Sequence, residues 1–511
     1  MRILSGLLVL AALVLSGGGG GAADLGELAA KHRFTADQIG FVVIEAETGK
    51  VVAEHQSDRA VVPASVAKLP TAIAALTTLG PEHRFVTELA LEGTTLVLVG
   101  GGDPFLTPED LRPAFRRLKE AGRRVERFVY DASIWPEAQE IDPAQPEAST
   151  YNPGVGALAM DFNRVQVDWK ESGRRAIVLA VSDQFRLEAD AVRLVSGPSV
   201  VPPPFRFLAE GPDRWVMANL PPSGRAFLPI KRPALNAALV IRRLAEREGV
   251  MLPMPVEGVR PAGAVAFHLH NSHPLAEIVC SVLKHSNNMA AEMLGLATAV
   301  RVQGRKPADL AQSVAAVDAW FAQAIPGVDW GGFRRANHSG LSPDSRVTPR
   351  QIAALMRTGL ILVPDIAEVL PTREIAEYEE APAAGNGDAK PAAAAEARKT
   401  EPKTGARTAE AGKPEAKEAE PKKPPPLPLA ILRYRAKTGT MAYARGLAGL
   451  LWTHTGKPLA FAVFVYDDAQ RAAFDATLDR RLPEMPAAAR TWIRRARGVE
   501  QELLREWAAT L

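Results

Sequence analysis

Cysteine is almost missing from this chain. Cys280 is the single one among 511 residues, so no internal disulfide can staple the fold, although an export route would permit one. Cys280 sits in Ile278-Val279-Cys280, on the expected buried side of a helix, and reads as a small hydrophobe rather than a nucleophile. An excess of charge of either sign is missing too. Lys and Arg number 61 against 58 Asp and Glu, a formal net charge of +3, which gives no electrostatic footprint for nucleic acid. Long apolar runs are confined to the start of the chain: Arg2, then residues 3–15, then Ser16 and Gly17 to Gly21. That pattern, with small Gly21-Ala22-Ala23 before Asp24, reads as a cleavable secretory signal, too short for a comfortable membrane span. No cysteine stands at its end, so a lipoprotein-type anchor is not expected.

At 511 residues the chain exceeds a single core, and two or three domains are expected. Phe41-Val42-Val43-Ile44-Glu45-Ala46 and Val51-Val52-Ala53-Glu54 bracket Glu47-Thr48-Gly49-Lys50, the pattern of a hairpin. From about 89 to 265 the texture changes to short β-rich runs, such as Leu96-Val97-Leu98-Val99 and Ala176-Ile177-Val178-Leu179, among many prolines. Inserted, mainly β modules are expected there. Helical patterning returns at Pro274-Leu275-Ala276-Glu277-Ile278 and is expected to run through Ser286 to Met293. Residues 381–426 hold only Ala, Gly, Pro, charged and small polar residues. They cannot bury enough surface to offset the entropy of ordering, and a disordered insertion is expected. Ile431-Leu432-Arg433-Tyr434-Arg435-Ala436 and Leu459-Ala460-Phe461-Ala462-Val463-Phe464-Val465-Tyr466 read as strands, and 492–511 as a closing amphipathic helix. The expected division is therefore a signal at 1–23, a core in three parts (24–88, 266–380 and 427–511), an insertion at 89–265, and the tract at 381–426.

Chemistry concentrates in three short motifs. Ser65-Val66-Ala67-Lys68 follows Pro63-Ala64 and precedes the apolar run Thr71-Ala72-Ile73-Ala74-Ala75-Leu76. Residues three apart on a helix are neighbours, so the Lys68 amine can reach the Ser65 hydroxyl and, once desolvated, take its proton. Ser286-Asn287-Asn288 brings a hydroxyl for proton relay and an amide to hold a carbonyl. Lys437-Thr438-Gly439-Thr440 brings a cation, two hydroxyls suited to a carboxylate, and a strand that can pair with an extended peptide. Gly439 is expected to let that peptide approach closely. A Ser-x-x-Lys arises by chance about once in a chain of this length, but the three in this order form the signature of penicillin-recognising serine enzymes. Two decoys are set aside: Ser281-Val282-Leu283-Lys284 lies mid-helix with no turn before it, and Lys403-Thr404-Gly405 lies in the low-complexity tract.

Other candidates yield blander readings. Gly100-Gly101-Gly102-Asp103-Pro104 lacks the Lys-Ser/Thr ending of a phosphate loop and reads as a turn. His268, His270 and His273 fall close together, but no carboxylate or cysteine nearby completes a zinc set. Arg494, Arg495 and Arg497 on the last helix allow peripheral membrane contact, although a solvated face packed on a sheet is the more usual arrangement.

With these motifs assembled, the chain resembles the penicillin-binding protein 4 type of D-alanyl-D-alanine carboxypeptidase and endopeptidase, the class C low-molecular-mass penicillin-binding proteins. The likeness extends to Tyr130-Asp131-Ala132-Ser133, to Leu158 with Asn163-Arg164-Val165, to Ser286-Asn287-Asn288-Met289-Ala290-Ala291-Glu292-Met293-Leu294, and to Ser339-Gly340-Leu341-Ser342 with Arg346-Val347-Thr348-Pro349. The long interval between Lys68 and Ser286 leaves room for the domains this family inserts there. The resemblance implies an α+β fold, a five-stranded antiparallel sheet with helices on both sides. Ser65 would attack the penultimate D-alanine carbonyl of a peptidoglycan stem peptide, Lys68 assisted by Ser286 would take its proton, and Asn288 would hold the substrate. Lys437 would keep Lys68 neutral by repulsion, Thr438 and Thr440 would bind the terminal carboxylate, and the N–H groups of Ser65 and Thr440 would form an oxyanion hole. No metal or organic cofactor is implied. The partners implied are stem peptides and β-lactams, in the periplasm, with a homodimer left open.

Three features depart from the family pattern. Asn337-His338 replaces the usual Asp-Gly before Ser-Gly-Leu-Ser, an Asp-Gly-Thr-Leu stretch upstream of Lys437 is absent, and Pro70 falls in the first turns of the Ser65 helix, where it removes a donor. A β-lactamase-like hydrolase and a catalytically idle wall-binding homologue are the alternatives.

Overall fold

The computed structural model describes residues 24–196, 205–208, 213–363, 365–377, 430–477 and 485–511. The expected signal at 1–23, the 381–426 tract and the decoy at 403–405 lie outside the described residues.

The first hairpin forms as the two apolar runs around Glu47-Thr48-Gly49-Lys50 predict. Ile39–Glu45 pairs antiparallel with Val51–His55, and its other edge is taken by Pro458–Tyr466 from the far end of the chain, Ile39 opposite Val465. Ala444–Trp452 and Ala430–Met441 continue the antiparallel order, and Thr372–Glu377 stands at the edge as a sixth strand. Both faces of this sheet are covered, so its strands read as continuous apolar runs. Side chains alternate across the sheet: Val42 and Ile44 join the large core with the helices Lys68–Leu79, Leu275–His285, Asn288–Gln303 and Pro349–Leu362. Phe41 and Phe461 point the other way, against Trp507 of the closing helix Ala487–Thr510. That helix buries Trp492, Leu503, Leu504 and Trp507, the packed-on-a-sheet arrangement.

Among the described residues, three further sheets are drawn from the stretch between Val86 and Asn271. They are β-rich as expected but are accompanied by the α-helices Pro108–Glu120 and Pro233–Arg247, which the prolines disguise. Pro108 and Pro233 are first helical residues, where a missing N–H has no partner to lose. These helices share a core with Leu96, Leu98 and Phe128. A separate cluster around Trp169, Trp215 and Leu228 serves the neighbouring strands.

By contact density Met1–Arg373 with Tyr434–Leu511 forms one unit and Glu374–Arg433 a second. In the second, Arg433 Nε donates to Glu374 Oε1 at 3.0 Å. Among the described residues no helix is long and apolar enough to cross a membrane. Among them, too, no group of three His, Cys, Asp or Glu side chains is placed to hold a metal. His268 accepts from Arg117 at 3.1 Å, His270 lies 3.2 Å from Asp103, and His273 lies 3.1 Å from Glu277. Cys280 is free and only half-buried, packed at the margin of the large core.

Candidate active site

Ser65 stands in a single 3-10 turn, Ala64–Ala67, that passes into the α-helix Lys68–Leu79. A 3-10 turn has three residues per turn and eclipses i with i+3, which sets Lys68 over Ser65 more directly than an α-helix would. Their Nζ and Oγ atoms are 3.0 Å apart. Pro70 is the third residue of the α-helix, in the first turn where a backbone donor is not yet required, so it does not break the helix. Ala64, just before Ser65, has φ of 45°, a left-handed conformation unfavourable for a residue with a Cβ.

Lys68 is almost completely buried. Burial pushes its amine down to about 7, with the Glu292 carboxylate pulling the other way. Its other two contacts are Asn288 Oδ1 at 2.7 Å and the Ser339 carbonyl at 2.7 Å. Both can only accept, and the Asn288 orientation is set by its Nδ2, which donates to the Tyr151 carbonyl at 2.9 Å. A neutral lysine amine has two N–H donors and one lone pair. With both donors taken by these carbonyls, the lone pair is left for the Ser65 hydroxyl proton.

The continuous helix expected across Ser286 is in fact broken there. Leu275–His285 ends at Ser286, whose φ of 55° is left-handed, and Asn287 caps the next helix by accepting from Ala290 N at 3.0 Å. Asn caps a helix well because its side chain satisfies an orphan N–H. The break turns Ser286 and Asn288 into the cleft with Ser65 and Thr440, a space of about 380 Å³ also walled by Tyr151 and Leu341. Among the described residues the Ser286 hydroxyl makes no hydrogen bond to Ser65 or Lys68.

Lys437 projects from the strand Ala430–Met441 and is also buried. Its amine lies well below the ordinary lysine value, through burial first and then through Lys68, Arg373 and Arg445, and it donates to the Thr438 carbonyl at 2.6 Å. Burial, not repulsion from Lys437, is therefore the leading cause of the lowered Lys68. Gly439 faces the Ser65 turn: a Cβ there would sit 2.3 Å from the Pro63 carbonyl. The glycine thus brings the Lys437 strand against the Ser65 turn, a different task from the peptide clearance expected of it. Gly340, at φ of +70°, does the same from the opposite wall, 1.9 Å from the Ala64 carbonyl by the same measure.

A buried polar layer backs the site, and most of it escaped the sequence reading. Glu292 accepts from the N–H groups of His338 at 3.0 Å and Ser339 at 2.8 Å, and so orients the Ser339 carbonyl toward Lys68. It follows Asn288 by four residues, the spacing of one helix face, and that periodicity was the available signal. The Asn337-His338 departure is accommodated. Asn337 Oδ1 accepts from Leu341 N at 2.8 Å, and the fully buried His338 ring spans Thr71 Oγ1 at 3.1 Å and Ser313 Oγ at 3.0 Å. Its space comes from Gly295, where a Cβ would lie 2.1 Å from the ring. Burial, then Arg335, holds His338 well below its ordinary value.

A sequence model of the D-Ala-D-Ala carboxypeptidase 3 (S13) family matches residues 22–360. That span includes the first two motifs and ends before Lys437. A carboxypeptidase of Mycobacterium tuberculosis is 26% identical over 452 residues, spanning 87% of this chain and 77% of its own length. A D-alanyl-D-alanine carboxypeptidase of Actinomadura sp. is 28% identical over 354 residues, 62% of this chain and 63% of its own. Among solved structures, penicillin binding protein 4 from Haemophilus influenzae matches with a TM-score of 0.61 at 19% identity, over 92% of this chain and 96% of that one. The same protein complexed with a β-lactam matches at 0.59 and 19%, over 91% and 96%. At such identities the structural likeness establishes the fold.

Proposed function

The chain belongs to the D-Ala-D-Ala carboxypeptidase 3 (S13) family, and from that premise we propose that it is a serine peptidase releasing the terminal D-alanine of peptidoglycan stem peptides through an acyl-enzyme on Ser65. The observation that carries the assignment is Lys68, buried, lowered to about 7 and 3.0 Å from the Ser65 hydroxyl, with both its other contacts acceptors. Such an amine is substantially neutral near pH 7 and is aimed at the proton it must take.

Ser65 Oγ forms a bond to the penultimate D-alanine carbonyl carbon as its proton passes to Lys68 Nζ. The carbonyl becomes an oxyanion, held by the N–H groups of Ser65 and Thr440, which both line the cleft. Collapse breaks the C–N bond, and the departing D-alanine nitrogen takes the proton, with Ser286 as the relay on the leaving-group side. Water, deprotonated by Lys68, then attacks the ester and restores Ser65. Asn288 both fixes Lys68 and offers its amide to the substrate. Lys437, Thr438 and Thr440 receive the terminal carboxylate. Export to the periplasm and action on cross-linked strands belong to this proposal.

The test is intact mass after incubation with benzylpenicillin. A stable adduct on the parent and none on Ser65→Ala is expected, together with D-alanine release from a peptide ending in D-Ala-D-Ala. An adduct that survives Ser65→Ala would reassign the nucleophile. Rapid loss of the adduct in the parent would favour a β-lactamase-like hydrolase.

A further inference from the structure

Alternation along the strand Ala430–Met441 sets Lys437 and Gly439 on the face packed against the Ser65 turn and Thr438 and Thr440 on the other face, where Thr440 also borders the cleft. Two arginines meet those threonines there. Arg445, directly opposite Thr440 in the ladder, donates from Nη1 to Thr440 Oγ1 at 3.1 Å and from Nε to Glu500 Oε2 at 2.8 Å. Arg373 donates from Nη2 to Thr438 Oγ1 at 3.4 Å and from Nε to the Ala436 carbonyl at 3.0 Å. Glu500, on the closing helix, is buried and is the carboxylate that bonds Arg445; the charges of Arg373, Arg445 and Arg497 all bear on it.

We propose that Arg445, anchored by Glu500, and secondarily Arg373, are positioning residues that turn Thr440 and Thr438 into hydrogen-bond donors and so select ligands bearing a free carboxylate. The proposal rests on the acylation chemistry assigned above to this cleft. A threonine hydroxyl has one proton and two lone pairs. When a guanidinium N–H occupies a lone pair, the hydroxyl cannot point its own proton back at that donor. The proton of Thr440, which lines the cleft with Ser65, is left to point at the ligand. A carboxylate accepts it; an ester or amide accepts it weakly and brings no charge. Three guanidinium groups around one carboxylate leave a positive residue of charge behind the threonines, which adds to the same preference. The rigid fork of arginine is needed because it bonds Glu500 and Thr440 at once, which a lysine ammonium cannot reproduce in this geometry.

The test compares acylation by benzylpenicillin with acylation by its methyl ester, read by intact mass over a range of concentrations. Arg445→Gln should slow the acid by about 10- to 100-fold, the worth of a hydrogen bond to a charged group. The loss should lie in apparent affinity rather than in the limiting rate, and the ester should be nearly unaffected. Arg373→Gln, whose contact is longer, should reduce the acid-to-ester ratio less. Arg445→Lys keeps a cation beside the buried Glu500, and hence a folded protein, and should recover part of the ratio. Equal slowing of acid and ester in Arg445→Gln, or an unchanged ratio, would overturn the proposal. D-alanine release by the parent tests the carboxypeptidase reading separately, so a parent that is acylated but releases no D-alanine sinks that reading and leaves this one measurable.

Discussion

At the scale of the residue, the decisive feature is a lysine amine that burial lowers to about 7. Two lysines, 68 and 437, share the site and both lie below the ordinary value; desolvation leads in each. Repulsion between them is mutual, so the acidic limb of a pH–acylation profile belongs to the pair. Acylation should rise with pH through about 7, where Lys68 loses its proton. Lys437→Gln should raise the limb only modestly, because burial of Lys68 survives the change. Glu292→Gln should move it the other way, since the carboxylate stabilises the protonated amine and its removal makes the proton easier to lose. A limb that moves upward in Glu292→Gln would show that orientation of the Ser339 carbonyl outweighs charge. His338 supplies a stability readout. It is buried and held below 6.5 in the fold, so below about pH 6.5 the unfolded chain binds a proton that the folded chain refuses. Stability is then lost as pH falls, by up to about 1.4 kcal/mol per unit. Urea midpoints measured from pH 7 to 5 should show this slope in the parent and a shallower one in His338→Gln.

At the scale of the element, the site is assembled from places where regular structure stops. The 3-10 turn at Ala64–Ala67, the left-handed Ser286 between two helices and the Asn287 cap each aim a side chain that a continuous helix would have turned away. Glycines then allow these pieces to close on one another. Gly439→Ala would force the Lys437 strand away from the Pro63 carbonyl, and acylation should fall by more than tenfold at a stability loss of about 1–3 kcal/mol; penicillin labelling beside a thermal melt separates the two effects. Gly295→Ala should be destabilising by a similar amount through His338. Combined with His338→Ala it should lose less than the sum of the single changes, because the clash is then gone.

At the scale of the whole molecule, the groups of the candidate site come from segments scattered along the chain, and a large β-rich insertion separates the first motif from the second. The insertion has hydrophobic clusters of its own, and a further cluster joins its Trp135, Ile141 and Val155 to Met289, Met293 and Leu296 of the core. Trp215 is fully buried in one of them. Trp215→Ala should therefore destabilise by about 3–5 kcal/mol while the folded fraction is acylated at the parent rate. A slowed acylation rate in the folded fraction would mean that the module shapes the cleft.

Local signals in the sequence determined the hairpin, the strands around Lys437 and Phe461, the closing helix and the three motifs, because alternation, periodicity and short spacing are properties of neighbours in the chain. They failed where proline marked a helix start at Pro108 and Pro233, and where the helical pattern ran through the break at Ser286. What only the tertiary structure decided involves partners far apart in sequence. Lys68 is lowered to about 7 by burial and held by Asn288 and Ser339, Gly439 is required by Pro63, His338 by Gly295, and Thr440 is turned by an arginine that Glu500 holds from the last helix. Desolvation, close packing and the direction of a hydroxyl proton all depend on what stands opposite in space. No window of neighbouring residues contains that information.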